Sequence, residues 1–408
     1  MYLSYFDKFY DMEPYLSIDE KEWEHIKNTF EKQDVRESLA KVAMTNPPPY
    51  MDITKNDAYR GLQKLKGMKH TDILVDGEWF AREGTKYHYG LSFGGKQQYF
   101  RRLNTGNDSS NYFQQTNRWS VDGTIAPGPI RTWNSHDFMT TLIGSAYSLK
   151  LPKIDKSAFR VMIGLRKYIC SQFKPNVSKV LYDKLGSKNV LDFSAGWGDR
   201  LAGFYASETA EYYVGIDPRK ENHPLYEEQS EFYDTHRSMF EPNKKVEFIE
   251  LPAEDVDYTK YKDKFDTVFT SPPYFSVERY SYDDTQSWIR YKQIDDWNKN
   301  FLQKTLKKLW CSIKSGGYLL VNIADVHART GSQKGMVEIC NPMNDFLYKF
   351  SDSEYQGCIG MEMAKRPNSG GAGMARVSDE RFQDSTIQRA EETKDKTFCE
   401  PIWIWKKL

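Results

Sequence analysis

Cysteine is scarce in this sequence. The five residues, Cys170, Cys311, Cys340, Cys358 and Cys399, are scattered, and no CxxC or Cys/His pair has metal-ligand spacing. That argues against a disulfide scaffold or a zinc ribbon and fits reduced structural thiols in a cytoplasmic protein. No run of about 18 apolar residues occurs, so no membrane span is expected. The opening stretch MYLSYFDKFYDMEPY lacks a basic region followed by an apolar one, so a secretory signal is not expected. No internal repeat is visible. Net charge is also missing: 57 basic residues balance 57 acidic ones over 408 residues.

The balance hides an uneven spread. Residues 1–50 carry 6 basic and 10 acidic groups, net −4. Residues 51–190 carry 22 and 11, net +11, and residues 191–408 carry 29 and 36, net −7. The basic block is interleaved with aromatics, as in Arg101, Arg102, Arg118, Trp119, Arg131 and Trp133. Such a block suits a polyanion, with arginines for phosphates and rings for stacking. It equally suits the aromatic core of a folded domain.

Local patterns divide the chain. Residues 1–45 read as helical and stop at Asn46-Pro47-Pro48-Pro49. Residues 70–135, rich in Gly, Asn, Ser and aromatics, read as short strands and loops with few helices. Residues 156–185 return to helix. From 189 onward strands alternate with helices: 189–193, 212–217, 246–250, 265–270, a long helix near 295–314, then 317–323, 357–363 and 400–405. This is an α/β pattern with a mostly parallel sheet, preceded by an N-terminal mixed α+β extension. The expected organisation is 1–150 as a helical, then β-rich extension that recognises the target, and 151–408 as the catalytic domain. The polar stretch 366–397 is expected to be a mobile loop.

Three strand ends carry groups that suit a nucleotide-like cofactor. After the first strand of the α/β pattern comes Asp192-Phe193-Ser194-Ala195-Gly196-Trp197-Gly198-Asp199-Arg200. Its glycines permit close backbone approach at a helix N-terminus. Asp217 ends the next strand, where a carboxylate can accept from both ribose hydroxyls. Glu254 and Asp255 follow the third strand, where an acceptor could meet an adenine amino group. A plain loop acid is an equal reading of that last pair.

After the fourth strand stands Ser271-Pro272-Pro273-Tyr274-Phe275. An exocyclic amine on a nucleobase is a weak nucleophile because the ring withdraws its lone pair. Acceptors that take its N–H protons draw the nitrogen toward a tetrahedral geometry and release that pair. The Ser271 hydroxyl and the Pro272 carbonyl can serve, with the two prolines fixing the backbone. Tyr274 can stack on a base flipped out of its helix. No Pro-Cys dipeptide supplies a covalent nucleophile.

Residues 186–408 resemble class I S-adenosylmethionine-dependent methyltransferases, specifically the DNA amino-methyltransferases that carry (Asp/Asn/Ser)-Pro-Pro-(Tyr/Phe/Trp). SPPYFSVERYSYDDTQSW and FKPNVSKVLYDKL are similar to segments of phage and large-virus methyltransferases. The resemblance implies a Rossmann-like seven-stranded sheet closed by the strand at Glu400–Lys406, and S-adenosyl-L-methionine as cofactor. It implies that Asp192, Ser194, Ala195, Gly196 and Gly198 hold the methionine end, Asp217 the ribose, and Glu254 or Asp255 the adenine. Ser271, Pro272, Pro273 and Tyr274 would be catalytic. Phe275 would be a second wall of the base pocket, and Arg101, Arg102 and Arg118 would bind substrate. The implied activity is site-specific methylation of cytosine N4 or adenine N6 in DNA, as in restriction-modification or a phage or viral setting, with no metal. At Phe193-Ser194 the family more often has a Pro or another small residue, and Trp197 is also bulky. The remaining readings are methylation of an RNA base or a protein glutamine amide, or a subunit that binds cofactor or DNA without catalysis.

Overall fold

The computed structural model describes residues 3–81, 87–123, 126–328, 335–363 and 395–408. The chain forms two compact units. The smaller comprises Met1–Ile53, Gln114–Ser171 and Glu278–Ser281; the larger comprises Thr54–Phe113, Gln172–Val277 and Tyr282–Leu408.

The smaller unit is helical. Glu20–Thr29, Lys32–Ala43, His136–Ser148 and Lys156–Arg166 are α-helices. Side chains cap three of them: Asp19 accepts the Glu22 N–H at 2.8 Å, Ser135 that of Phe138 at 3.5 Å and Asp155 that of Ala158 at 2.7 Å. Trp23, Leu39, Trp133, Leu142, Phe159 and Met162 fill one core. Trp133, expected at a polyanion-facing surface, is therefore interior packing.

The larger unit is built on strands β1 (Leu74–Asp76), β2 (Trp79–Phe80), β3 (Gln98–Phe100), β4 (Asn189–Asp192), β5 (Tyr212–Ile216) and β6 (Lys245–Ile249). They are followed by β7 (Phe265–Thr270), β8 (Ile313–Asn322), β9 (Val326–Ala328), β10 (Gly335–Val337), β11 (Ser353–Glu362) and β12 (Thr397–Lys407). Nine of these run side by side in the order β1-β3-β11-β12-β8-β7-β4-β5-β6, and β2 pairs with β12. β4, β5, β6, β7 and β8 are mutually parallel, whereas β12 is antiparallel to both β8 and β11.

Alternation along the strands produces two apolar faces. Leu191, Val214, Val268, Leu319, Val321, Trp403 and Trp405 pack on one side. Val190, Tyr213, Phe269, Leu320, Ile402 and Ile404 pack on the other. Both faces are covered, which is why these strands read as continuous apolar runs.

Two expectations change and a third is extended. Residues 70–135 contain α-helices at Asn107–Trp119 and Pro129–Trp133, and their strands are two or three residues long. Burial of Phe113 and Trp119 outweighs the weak helix preference of the Asn, Ser and Thr around them. The division at 150/151 also differs from the one observed, because residues 54–113 belong with the sheet. Leu62 and Leu65, on helix Lys55–Lys66, share a cluster with Leu181 and Leu201. Finally, the sheet exceeds seven strands. β3 runs parallel to β11 with Gly360 opposite Tyr99, and β1 extends that edge. The expected loop at 366–397 lies, up to residue 394, outside the described residues.

Without β1, β2 and β3, the order is β6-β5-β4-β7-β8-β12-β11 with β12 alone reversed. That order and that single reversal define the class I methyltransferase fold. From β4 the chain moves to β5 and β6 on one side and later to β7 and β8 on the other. The carboxyl ends of β4 and β7 therefore flank the topological switch point, where open α/β sheets bind ligands.

Candidate active site

The turn after β4 delivers the chain into helix Asp199–Ala206. Gly196 and Gly198 have φ of +61° and +69°, a region that side chains disfavour. At Gly198 a Cβ would also lie 2.2 Å from Gln229 Oε1, and Gln229 Nε2 donates to the Gly198 carbonyl at 2.8 Å. Asn222 Nδ2 donates to the Gly196 carbonyl at 3.0 Å, and the Tyr226 hydroxyl donates to the same oxygen. The turn is thus gripped from the helix His223–Thr235 that follows β5.

Asp192 is fully buried. Its carboxylate accepts from Arg200 Nε at 2.7 Å, from the Tyr213 hydroxyl at 2.9 Å and from the Ser194 N–H at 3.2 Å. Arg200 also donates to the Ser194 carbonyl, and its guanidinium lies 4.9 Å from the Phe173 ring centroid. Burial works against the guanidinium charge, but Asp192 outweighs it and the Arg200 pKa moves up. These internal partners occupy Asp192, so it shapes the turn from within.

Asp217, one residue past β5, presents both oxygens to backbone. Oδ2 accepts the Gly196 N–H at 2.9 Å and Oδ1 that of Arg219 at 2.9 Å. Each oxygen keeps a further lone pair for a hydroxyl donor. Burial pushes its pKa above the ordinary value, and the Arg219 and Gly196 N–H groups offset only part of that.

Glu254 follows β6 and is 1% exposed. Its Oε1 is bound by Arg290 and, at 3.1 Å, by the Tyr291 hydroxyl, while its Oε2 is buried without a hydrogen-bond partner. Arg290 also meets Asp255 at 2.8 Å. Arg290 thereby ties both acids to the segment downstream of the Pro-Pro turn. The sequence alone does not single it out, because an arginine in a loop carries no local signal of its partner.

The Ser-Pro-Pro-Tyr turn leaves β7 at its carboxyl end. The Phe275 N–H donates to the Pro273 carbonyl at 3.1 Å, which closes a tight turn around Tyr274. Phe275 then takes a φ of +47°, uncommon for a bulky residue. Its ring, expected to line a pocket, is buried and packs edge-on against Trp297 at 6.1 Å. Tyr274 is half-buried, and its hydroxyl donates to Glu400 Oε2 at 3.2 Å. The Ser271 hydroxyl donates to Asn322 Oδ1 at 3.3 Å. Asn322 and Glu400 come from β8 and β12, strands whose sequence signal lies in their apolar residues.

The expected nucleic-acid arginines separate. Arg101 and Arg102 are exposed just past β3. Arg118 is buried in the smaller unit and donates to the Cys170 carbonyl at 3.0 Å. It does not present its charge to a polyanion, which corrects that expectation. None of the five cysteines is joined in a disulfide. Among the described residues no helix is long and apolar enough to cross a membrane, and no cluster of His, Cys, Asp or Glu could hold a metal ion.

No protein-family model matches the chain, and no curated protein matches its sequence. Solved structures similar to it include TrmN from Thermus thermophilus (10% identity, TM-score 0.34, covering 57% of this chain and 49% of that one). Others are a putative S-adenosylmethionine-dependent methyltransferase from Listeria monocytogenes (13%, 0.31, covering 57% and 97%) and the tRNA methyltransferase TrmI from Aquifex aeolicus (13%, 0.31, covering 59% and 71%). The chain thus spans about half the length of the first of these. The strand order itself defines the fold.

Proposed function

We propose that this chain transfers a methyl group from S-adenosylmethionine to an exocyclic amino group of a DNA base, cytosine N4 or adenine N6. One observation carries the reading. The glycine turn after β4 and the Ser-Pro-Pro-Tyr turn after β7 leave adjacent parallel strands at the same end of the sheet. A cofactor at the first turn and an amine at the second then share one crevice.

The residues suit the cofactor. Glu254 Oε2 is a buried acceptor lacking a donor, and such an atom is costly unless something supplies one; the adenine amino group does. Asp217 would take the ribose hydroxyls. Ser194, Ala195, Gly196 and Gly198 would line the methionine end through their backbone, with Asp192 holding the turn. Bound there, S-adenosylmethionine supplies a methyl group on a positively charged sulfur. Ser271 and the Pro272 carbonyl accept the amine protons, and Tyr274 holds the base by its face.

Two outcomes test the parts. Cofactor affinity should fall as pH drops through the raised pKa of Asp217, because protonation removes the acceptor for the hydroxyls. Titration calorimetry across pH would show it, and Asp217→Asn should flatten the profile and raise Kd at least about tenfold. The stability linkage has the opposite sign. The folded state holds the Asp217 proton more tightly than the unfolded chain does. Its contribution to stability is therefore present below the unfolded pKa and lost as pH rises through the folded one. Charge reversal at Arg101 and Arg102 should weaken duplex binding. It should also shrink the salt slope by about 0.9 for each phosphate no longer neutralised; an unchanged slope places recognition elsewhere.

The activity is tested by incubating the protein with labelled cofactor and duplex DNA, then digesting to nucleosides for mass spectrometry. A methylated cytosine or adenine amine supports the proposal. Label in RNA or in protein alone overturns it.

A further inference from the structure

We propose that Asn322 is a positioning residue that dictates which way the Ser271 hydroxyl points. The inference rests on reading Ser271 as an acceptor for the target amine. Asn322 closes β8, is 1% exposed, and lies opposite Ile402 of β12. Its amide nitrogen donates to the Pro401 carbonyl at 3.1 Å. That carbonyl also accepts the Ile323 N–H at 3.3 Å.

A carbonyl only accepts, so the Pro401 oxygen fixes the amide orientation. The reversed amide would set two acceptor oxygens against each other in a buried place. With its nitrogen committed to Pro401, Asn322 turns Oδ1 toward Ser271, whose Oγ lies 3.3 Å away. Oδ1 is itself only an acceptor. The Ser271 hydroxyl has one proton and must donate it there. Its lone pairs are then left for an N–H of the substrate.

The alternative hydroxyl orientation would be harmful. A Ser271 proton aimed at the amine nitrogen would bind the lone pair that has to attack the methyl carbon. Three residues in series, Pro401, Asn322 and Ser271, remove that choice. The polarity begins on β12 and ends at the reacting amine. Neither Asn322 nor Pro401 belongs to a motif legible in the sequence.

A double-mutant cycle on kcat separates this role from a structural one. Asn322→Ala should lower kcat about tenfold, with KM for the target and the cofactor Kd within about twofold. In a Ser271→Ala background the same change should cost less than about twofold, since no hydroxyl is left to orient. Equal losses from Asn322→Ala in both backgrounds would overturn the inference. If Asn322→Ala does not fold, Ser271→Ala reads the contact by itself. The side-chain amide signals of Asn322 in a ¹⁵N–¹H spectrum should then shift, and unchanged signals would overturn it. If the wild-type protein methylates no amine, the functional reading fails and takes this inference with it. If it does and the cycle is additive, only the role of Asn322 falls.

Discussion

Replacing Arg200 by methionine should cost about 3–5 kcal/mol of folding stability, the usual penalty for stranding one member of a buried ion pair. Both partners are almost inaccessible to water. Without Arg200, Asp192 keeps only the Tyr213 hydroxyl and the Ser194 N–H as donors. The Ser194 carbonyl would also lose the guanidinium. A urea midpoint measured with an unchanged slope reads the loss directly. Asp192→Asn combined with Arg200→Met removes both charges and should recover at least half of it. If the single variant is as stable as wild type, the pair contributes no net stability. If the double variant is no better than the single, the cost lies in poorer packing against Phe173 rather than in stranded charge.

Tyr274→Ala should cut single-turnover methyl transfer about 100-fold, the scale of a misplaced reactant, and leave cofactor Kd within about twofold. The ring is held from three directions. Two prolines precede it, the Pro273–Phe275 hydrogen bond closes the turn around it, and Glu400 takes its hydroxyl. Losing a stacking face costs about 1–3 kcal/mol per base, and losing alignment adds to that. Tyr274→Phe keeps the face and drops the hydrogen bond to Glu400, so about a threefold loss is expected. Equal damage from Phe and Ala would mean that the hydroxyl matters and the ring does not. Full activity in the alanine variant would remove Tyr274 from the site.

The parts of the fold that show in the sequence are those whose reasons are local. The strands at 189–193, 212–217, 246–250 and 265–270 announce themselves because they are short, apolar and punctuated by Gly, Pro and Asp. The observed β4 to β7 match them within a residue or so. The helix Asn107–Trp119 does not show, because polar residues form it and burial decides it. The placement of residues 54–113 beside the sheet is invisible for a related reason. An apolar helix face such as that of Leu62 and Leu65 says that a core exists, not which one it joins.

The site divides along the same line. The glycine turn, Asp217, Glu254 and Ser271–Tyr274 each sit in a pattern that a reader can find. The roles of Arg200, Arg290, Asn322 and Glu400 are not legible there, since each matters through a partner 8 to 126 residues away. Arg118 shows the reverse error. Its basic, aromatic neighbourhood suggests an outward role, and the structure uses it to satisfy an interior carbonyl.

The position of β12 has a kinetic consequence. It follows every other strand of the sheet in chain order, yet it lies between β8 and β11 and carries Glu400 and Pro401 to the site. During refolding β4, β5 and β6 can pair through nearer neighbours, as can β7 and β8, but the β4–β7 and β8–β12 pairings each join strands more than 70 residues apart. Such distant pairings form late. Helical and sheet signals would then recover before the tyrosine and the serine acquire their partners, so catalytic competence trails the regain of secondary structure.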